Sequence, residues 1–362
     1  MELFYRILKA AVDGGASDVH IKIGTPIVLR INRQLIAIEA PTPTADWVNT
    51  VVDQVVPRHA KIKLEEQREV DFSYFAPGIG RFRTNCFQQR GEWCLAMRYV
   101  KTQIPSFEEL NLLPVLKKIA ESARGIVLLS GTTGCGKSTT LAAMVEHING
   151  HFKKHVITLE DPIEFVFEDN QSVIEQREIG LDCLSFEYGL KHILRQDPDI
   201  IMIGEMRDAL SFSAAMSAAE TGHLVLSTLH TTNAPISIGR ILDFFTPEER
   251  DQIRRQLAAT LQAVVCQRMV NSVSGGVIPA IEIMINTPTV RKLIEENRME
   301  KLAAAIETGR EDGMQNFNQA LFDLVKERKV AEKEALAKAS NPETLKMNFQ
   351  GIFLDEARRI LS

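Results

Sequence analysis

The sequence predicts an α/β protein in which a smaller mixed unit precedes a unit built on a largely parallel sheet. Beyond residue 115, short apolar runs alternate with helical patterns, and a glycine-rich phosphate-binding signature joins the first of these runs to a helix. Strands that alternate with helices need crossover connections, and such connections produce parallel sheets. The 362 residues are enough for two or three domains.

Composition and charge exclude several classes of protein. Hydrophobic residues make up 45% of the chain and charged residues 25%, as in soluble globular proteins, and the net charge of -5 leaves no basic surplus for nucleic acid. The N-terminus reads as an amphipathic helix, and no apolar run reaches the length of a membrane span. The five cysteines are scattered, which predicts reduced thiols in the cytoplasm and no structural zinc site. We therefore expect a cytoplasmic protein without direct membrane insertion.

The chain divides by composition into three regions. Residues 1–100 combine a leading helix with short strand-like runs, residues 101–114 form a proline-flanked linker, and residues 115–362 form the second domain. From about residue 289 the pattern is helical. In the second domain, buried strands are predicted at 125–130, 156–159, 200–203 and 224–229, with a helix at 138–148.

The phosphate loop is the most specific local signal. Gly131 to Ser138 matches G-x-x-x-x-G-K-[ST] between a buried strand and a helix, which is the context that this motif requires. Lys137 is predicted to reach the β- and γ-phosphates, and Ser138 to ligate Mg²⁺. Cys135 is interpreted as a packing residue rather than a redox switch. The predicted ATP-binding residues of the loop are Gly131, Thr132, Thr133, Gly134, Cys135, Gly136, Lys137, Ser138 and Thr139.

Acidic residues follow two of the predicted strands. Because open α/β sheets place ligands at the carboxyl ends of their strands, Glu164 and Glu205 are candidates to bind metal or to position water. Glu205 stands, after Gly204, where simple phosphate-loop enzymes often carry aspartate. For the other carboxylates nearby, a structural ion pair or a helix cap is an equally good interpretation; these are Asp161, Asp197 and Asp199.

Two histidines flank the last predicted strand. His223 enters it and His230 leaves it, and because they are seven residues apart they need not share a face. An exit-side His230 could hydrogen-bond a γ-phosphate. From the residues alone, a structural role is the more common outcome for such a histidine.

Several segments together resemble one family. They are the phosphate loop, ITLEDPIEF (the Asp box), the GEMRD strand end, AAETGHLVLSTLHTTNA (the His box), and the earlier GASDVH and REVDFSY…GIGRFRTN stretches. Taken together, they resemble the secretion ATPase superfamily over nearly the whole chain, and within it the type IV pilus retraction ATPases. The Asp and His boxes are the specific part of this resemblance, because the phosphate loop is common to many enzymes.

The resemblance implies a PAS-like N-terminal domain, a RecA-like ATPase domain and a homohexameric ring that binds ATP and Mg²⁺ between the two domains. It implies that Glu164 or Glu205 polarises the attacking water, and that Glu205 also lies near the metal. It further implies that His230 senses the γ-phosphate with His223 nearby.

The resemblance also implies that Arg81 and Arg83 reach toward phosphate. Read from the residues alone, these two arginines are charges on a strand surface. Arginine suits phosphate because it stays charged and can donate two hydrogen bonds at once.

The comparison within the superfamily favours retraction. Extension and type II secretion ATPases carry an extra N-terminal domain and commonly a four-cysteine zinc element, and neither is found in this sequence. Thr289–Leu293, in place of the usual AIRNL, and the long tail from Asn341 leave an accessory retraction paralogue as the alternative. The implied partner is an inner-membrane platform protein at the pilus base, where the protein would be peripheral.

Two further functions compete with a retraction motor. A nucleic-acid translocase is opposed by the acidic balance of the chain and by its lack of interleaved aromatic and basic residues. A nucleotide-binding regulator without hydrolysis is opposed by residues suited to turnover, namely Lys137, Glu164, Glu205 and His230.

Overall fold

The computed structural model describes residues 1–32, 34–100 and 103–353. Residues 101–102 of the predicted linker and 354–362 of the predicted helical tail lie outside the described residues. The chain divides into two compact units. The N-terminal unit comprises Met1–Gln103, Asp161–Val166 and Arg177–Leu184. The phosphate-loop unit comprises Ile104–Glu160, Phe167–Gln176 and Ser185–Ser362.

The described part of the N-terminal unit contains a six-stranded antiparallel sheet in the order β3-β2-β1-β6-β5-β4. Its strands are β1 (Asp18–Lys22), β2 (Val28–Ile31), β3 (Gln34–Ala37), β4 (Glu69–Ala76), β5 (Gly80–Gln89) and β6 (Glu92–Val100). Its helices are α1 (Glu2–Asp13), α2 (Ala45–Val55) and α3 (Arg58–Gln67).

Strand alternation gives this sheet a buried and a more exposed face. In β5, Phe82 and Cys86 are fully buried, whereas Arg81 and Arg83 point to the other side. The amphipathic helix α1 buries Phe4 and Leu8 in the same core as Phe82. The two arginines are therefore left on the face of β5 that this core does not cover.

The phosphate-loop unit is organised around a mixed sheet, whose order among the described residues is β13-β12-β7-β11-β10-β8-β9. From β12 to β8 the neighbours pair in parallel, and β12 and β13 form an antiparallel pair at one edge. The strands are β7 (Gly125–Ser130), β8 (His155–Glu160), β9 (Val173–Glu178), β10 (Ile200–Ile203), β11 (Leu224–Leu229), β12 (Leu261–Asn271) and β13 (Val277–Ile285). The four predicted strands are confirmed.

Helices account for most of the remaining described residues of this unit. They are α4 (Val115–Ala120), α5 (Lys137–His151), α6 (Phe186–Ile193), α7 (Ala209–Glu220), α8 (Ala234–Asp243), α9 (Arg250–Thr260), α10 (Pro288–Glu295), α11 (Leu302–Thr308), α12 (Phe317–Lys326), α13 (Glu332–Lys338) and α14 (Pro342–Phe349). Short 3₁₀ turns lie at Met299–Lys301 and Arg310–Asp312. The predicted helical pattern beyond residue 289 is confirmed up to α14. Among the described residues, no helix combines the length and the apolar character that crossing a bilayer requires.

The parallel strands bring several loops to one edge of the sheet. Gly131, Gly204 and His230 directly follow β7, β10 and β11, which are neighbours in the sheet. Since parallel strands end on the same side, the loops after them meet there. This edge carries the candidate site.

Candidate nucleotide and catalytic site

The phosphate loop connects β7 to α5 through glycines with positive φ angles. These angles are +146° at Gly131, +78° at Gly134 and +88° at Gly136, which is the N-cap of α5. A Cβ atom on Gly131 would lie 2.6 Å from the backbone oxygen of Gln267 and would also clash with Sγ of Cys135. The loop therefore needs glycine at its first position, and it ends at a helix N-terminus that favours anions.

The Lys137 side chain folds back over the loop. Its Nζ donates to the backbone oxygens of Gly131 at 2.9 Å and of Thr132 at 3.2 Å, and it lies 3.4 Å from Nδ1 of His230. Only 7% of the residue is exposed. A buried ammonium must be hydrogen-bonded, and the carbonyl oxygens occupy its donors here. The ammonium is thus held at the loop, where the phosphates of a nucleotide would meet it.

His230 links this lysine to Glu205. The Nε2 atom of His230 lies 3.1 Å from Oε1 of Glu205, and the other oxygen of Glu205 accepts a 2.7 Å hydrogen bond from Arg207. Because lysine can only donate, Nδ1 of His230 must accept from it, which favours the tautomer with a proton on Nε2. A continuous polar chain therefore runs from Lys137 through His230 to Glu205.

The environment of Glu205 keeps its carboxylate charged. Burial raises the pKa of this carboxyl, but the hydrogen bond from Arg207 and the interactions with His230 and Arg207 outweigh burial, and the pKa falls below its ordinary value. A carboxylate with a lowered pKa is a weak proton acceptor and a good partner for a cation. Arg207 belongs to the GEMRD segment, but its contact with Glu205 was not predicted.

A buried hydroxyl network fixes the loop that carries His230. Ser130 Oγ, at the end of β7, accepts from the Thr231 amide at 3.0 Å and lies 2.5 Å from Thr231 Oγ1, which in turn lies 2.5 Å from Ser237 Oγ. Glu282 accepts from the amide of Ala234 at 2.8 Å, and burial raises the pKa of that glutamate. These contacts tie the His230 loop to the strand that enters the phosphate loop. The sequence signal that could have indicated this network is the presence of polar residues at the ends of apolar strands.

Replacing Thr231 with valine is expected to lower kcat for ATP hydrolysis about tenfold and the free energy of unfolding by about 1–3 kcal/mol. Valine keeps the shape but removes the hydroxyl that bonds to both Ser130 and Ser237, so these two buried serines keep only backbone partners and two side-chain hydrogen bonds are lost. Steady-state kinetics and urea denaturation measure the two effects. Thr308→Val, which changes an exposed hydroxyl at the end of α11 in the same unit, is the control. If the two variants behaved alike, the network would have no role in positioning His230.

The candidate glutamates fall in different units. Glu205 belongs to the phosphate-loop unit, whereas Glu164 is an exposed residue of the Asp161–Val166 segment, which packs with the N-terminal unit. The Lys137–His230–Glu205 chain lies wholly in the phosphate-loop unit, and the predicted role of Glu164 in polarising water stays a prediction.

The structure does not bring His223 to the phosphate loop of the same chain. It precedes β11, and its Nδ1 lies 2.9 Å from the backbone oxygen of Ala218 and 3.1 Å from Thr221 Oγ1. His230 lies at the other end of that strand, about 20 Å away at the usual rise per residue. The structure thus separates these histidines, and the role of His223 in nucleotide binding stays a prediction without a supporting contact.

Asp197 and Asp199 also lie away from the phosphate loop, at the amino ends of the parallel strands. They precede β10, and Asp199 accepts from Lys154 Nζ and from the His155 amide, both at 2.9 Å. Burial raises the pKa of Asp199, but these contacts lower it overall. Of the interpretations left open by the sequence, the contacts favour a structural ion pair for Asp199.

The N-terminal arginines occupy different environments. Arg81 forms a 2.6 Å ion pair with Glu178 and is mostly buried, while Arg83, on the same face of β5, is exposed. In this arrangement Arg81 is committed to a carboxylate. The predicted role of both arginines at phosphate stays untested.

The remaining loop residues differ in their exposure, and their predicted contact with a nucleotide stays a prediction. Thr132 and Thr133 are exposed, and Ser138 and Thr139 are partly exposed in the first turn of α5. Cys135 is buried beneath the loop, and this burial raises the pKa of its thiol. A thiol with a raised pKa is unreactive, which supports the packing interpretation.

The fold and this edge of the sheet define a phosphate-loop nucleotide-binding protein. The family described as Type II/IV secretion system protein matches residues 1–311, and the chain belongs to that family. It is 40% identical over 93% of its length to the type IV pilus retraction ATPase PilT of Pseudomonas aeruginosa, and covers 98% of that protein. It is 37% identical over 95% of its length to the type IV pilus ATPase PilU of the same organism, covering 90% of it.

A solved structure shares the fold. The crystal structure of the pilus retraction motor PilT with bound ADP has a TM-score of 0.87 and 38% identity, with 94% of this chain and 98% of that chain covered. The α/β fold class, the resemblance to pilus retraction ATPases and the prediction of an ATP-hydrolysing, nucleotide-binding enzyme are thereby confirmed.

Proposed function

We propose that this chain is the ATP-driven motor of type IV pilus retraction, the activity that disassembles pilin and produces twitching motility. The observation that carries the proposal is the polar chain from Lys137 through His230 to Glu205, which connects the phosphate loop to a charged carboxylate. Retraction in particular follows from the similarity to PilT over nearly the whole of both chains.

Lys137 and His230 give the site a means to respond to the terminal phosphate. When ATP enters, the Lys137 ammonium exchanges its backbone carbonyl partners for phosphate oxygens, which are better acceptors because they are charged. His230 lies against that ammonium and can donate from Nε2. Loss of the γ-phosphate alters the contacts of both residues, and this local change of charge would be converted into motion.

The oxygen atoms beside the loop fit a magnesium ion. The Ser138 hydroxyl lies in the first turn of α5, and Glu205 supplies a carboxylate that stays ionised, which are the hard ligands that Mg²⁺ prefers. When bound, the ion would offset phosphate charge during hydrolysis. We propose that Glu164 or Glu205 polarises the attacking water.

The assembly that would use this chemistry is a ring. We propose a homohexamer that engages an inner-membrane platform protein at the pilus base, with the protein peripheral on the cytoplasmic side. In such a ring Arg81, Arg83 and His223 could contact nucleotide. The similarity to PilU supports a second candidate function, that of an accessory retraction ATPase.

Cells in which this chain carries Lys137→Ala are expected to extend pili but not retract them. The loop would lose the ammonium that meets the phosphates, so ATP turnover would stop. The measurement is live imaging of labelled pili in a strain whose other retraction ATPases are deleted. Lys326→Ala, at an exposed lysine of α12, is the matched control. Normal retraction by the Lys137→Ala protein would refute the motor function.

A further inference from the structure

The Glu178 carboxylate collects hydrogen bonds from separate parts of the N-terminal unit. Its Oε2 accepts from Ser73 Oγ of β4 at 2.7 Å, from Nη2 of Arg81 in β5 at 2.6 Å, and from the backbone amide of Ile163 at 3.1 Å. Glu178 is 3% exposed. The carboxylate thus joins the sheet of this unit to the Asp161–Val166 segment.

The short loop after Glu178 holds this residue in place. The Glu178 amide donates to Oδ2 of Asp182 at 2.8 Å, and its carbonyl oxygen accepts from the Asp182 amide at 2.9 Å. Gly180 and Cys183 close the same turn through a 2.6 Å backbone hydrogen bond. Because the backbone of Glu178 is fixed by these contacts, its carboxylate is already placed to accept its hydrogen bonds. Little conformational entropy is then lost when those bonds form.

The Ile163 amide, which donates to Glu178, belongs to the residue just before a candidate catalytic glutamate. Ile163 is 3% exposed, and the residue after it is Glu164, which is exposed. A peptide segment fixed at its amide and by a buried side chain limits the positions open to the next residue. This matters for catalysis because a displacement of about 1 Å at a reacting group can cost on the order of 100-fold in rate.

We infer that Glu178 is a positioning residue for Glu164. It fixes the Asp161–Val166 segment to the sheet of the N-terminal unit through Ser73 and Arg81, so that the Glu164 carboxylate is carried by that unit. This inference deepens the proposed function and rests on it. It also gives Arg81 a role in holding the anchor.

The test measures ATP hydrolysis by the full-length protein carrying Glu178→Ala or the milder Ser73→Ala. We expect Glu178→Ala to lower kcat at least tenfold and Ser73→Ala severalfold, with KM for ATP changed by less than about threefold, since the phosphate loop is untouched. The control is Asp53→Asn, which removes an exposed carboxylate that lies 3.8 Å from Lys61 Nζ in the same unit. We expect its kcat to stay within about twofold of wild type.

A double variant separates positioning from general stabilisation. If Glu178 acts through Glu164, then Glu178→Ala added to Glu164→Gln lowers kcat no further than Glu164→Gln alone. Multiplicative losses would overturn the inference, as would a Glu178→Ala enzyme with wild-type kcat. If Glu178→Ala does not fold, the same comparison made with Ser73→Ala decides.

Hydrogen exchange tests the anchor independently of activity. The Ile163 amide should exchange at least tenfold faster in Glu178→Ala and remain unchanged in Asp53→Asn. Unchanged exchange in Glu178→Ala would refute the anchor. A wild-type protein that does not hydrolyse ATP would instead refute the proposed function, and the exchange experiment would still show whether Glu178 fixes the segment.

Discussion

Replacing Glu205 with glutamine is expected to lower kcat for ATP hydrolysis by about 10² to 10³-fold while leaving nucleotide affinity nearly unchanged. Glutamine preserves the volume and can still accept from His230, but it removes the negative charge that Arg207 and His230 stabilise. Losing a charged group that positions water or contacts the metal typically costs this much, because the group acts mainly in the transition state.

Single-turnover hydrolysis and nucleotide titration measure the two quantities separately. Glu220→Gln makes the same change at an exposed position at the end of α7 and should behave as wild type. A Glu205→Gln enzyme that retained more than about a tenth of wild-type kcat would remove Glu205 from the catalytic machinery. Glu164 would then be the remaining candidate to polarise the attacking water.

Replacing Gly131 with alanine is expected to weaken ATP binding by at least about 100-fold. The backbone φ of +146° is poorly accessible to alanine, and the new methyl group would lie 2.6 Å from the Gln267 oxygen and clash with Cys135 Sγ. The Gln267 oxygen belongs to the neighbouring strand and cannot move independently. The loop must therefore rearrange, and its amides no longer converge on a phosphate.

Titration with a fluorescent nucleotide analogue tests this expectation, and circular dichroism checks the fold. Gly150→Ala is the control, because Gly150 is a helical residue of α5 and no atom of the described residues lies within 4 Å of its added methyl group. That variant should bind normally and gain about 0.5–1 kcal/mol of helix stability. Wild-type affinity in Gly131→Ala would mean that the loop tolerates a side chain there and does not bind phosphate in the observed conformation.

Local patterns explain why the core of the site was predictable. The apolar run Gly125–Ser130 forms β7 at the predicted bounds, and the glycines and Lys137 directly follow it. The sequence also placed His223 before and His230 after the last predicted strand, as the structure has them. The sequence alone could not show which of the two lies beside the phosphate loop, because that depends on how the strands are arranged in the sheet.

Contacts between distant residues were not predictable from these patterns. Thr231 bonds with Ser130 across 101 residues of sequence, and Ser73 with Glu178 across 105. Such pairs become visible only when the order of strands is known. Domain boundaries read from composition have the same weakness, since they cannot show that Asp161–Val166 and Arg177–Leu184 pack with residues from the start of the chain.

The segments Asp161–Val166 and Arg177–Leu184 belong to the N-terminal unit, so cutting the chain after residue 103 does not separate the two units. A truncation that begins at residue 104 would strip Ile163 and Glu178 of their partners and leave an apolar side chain and a carboxylate uncovered. In a chimaera that takes only its first hundred residues from a relative, the residues at positions 73 and 81 would come from that relative, whereas Glu178 would come from this chain. Functional chimaeras should therefore take residues 161–166 and 177–184 from the same relative as the N-terminal sheet, because these separate stretches belong to one structural unit.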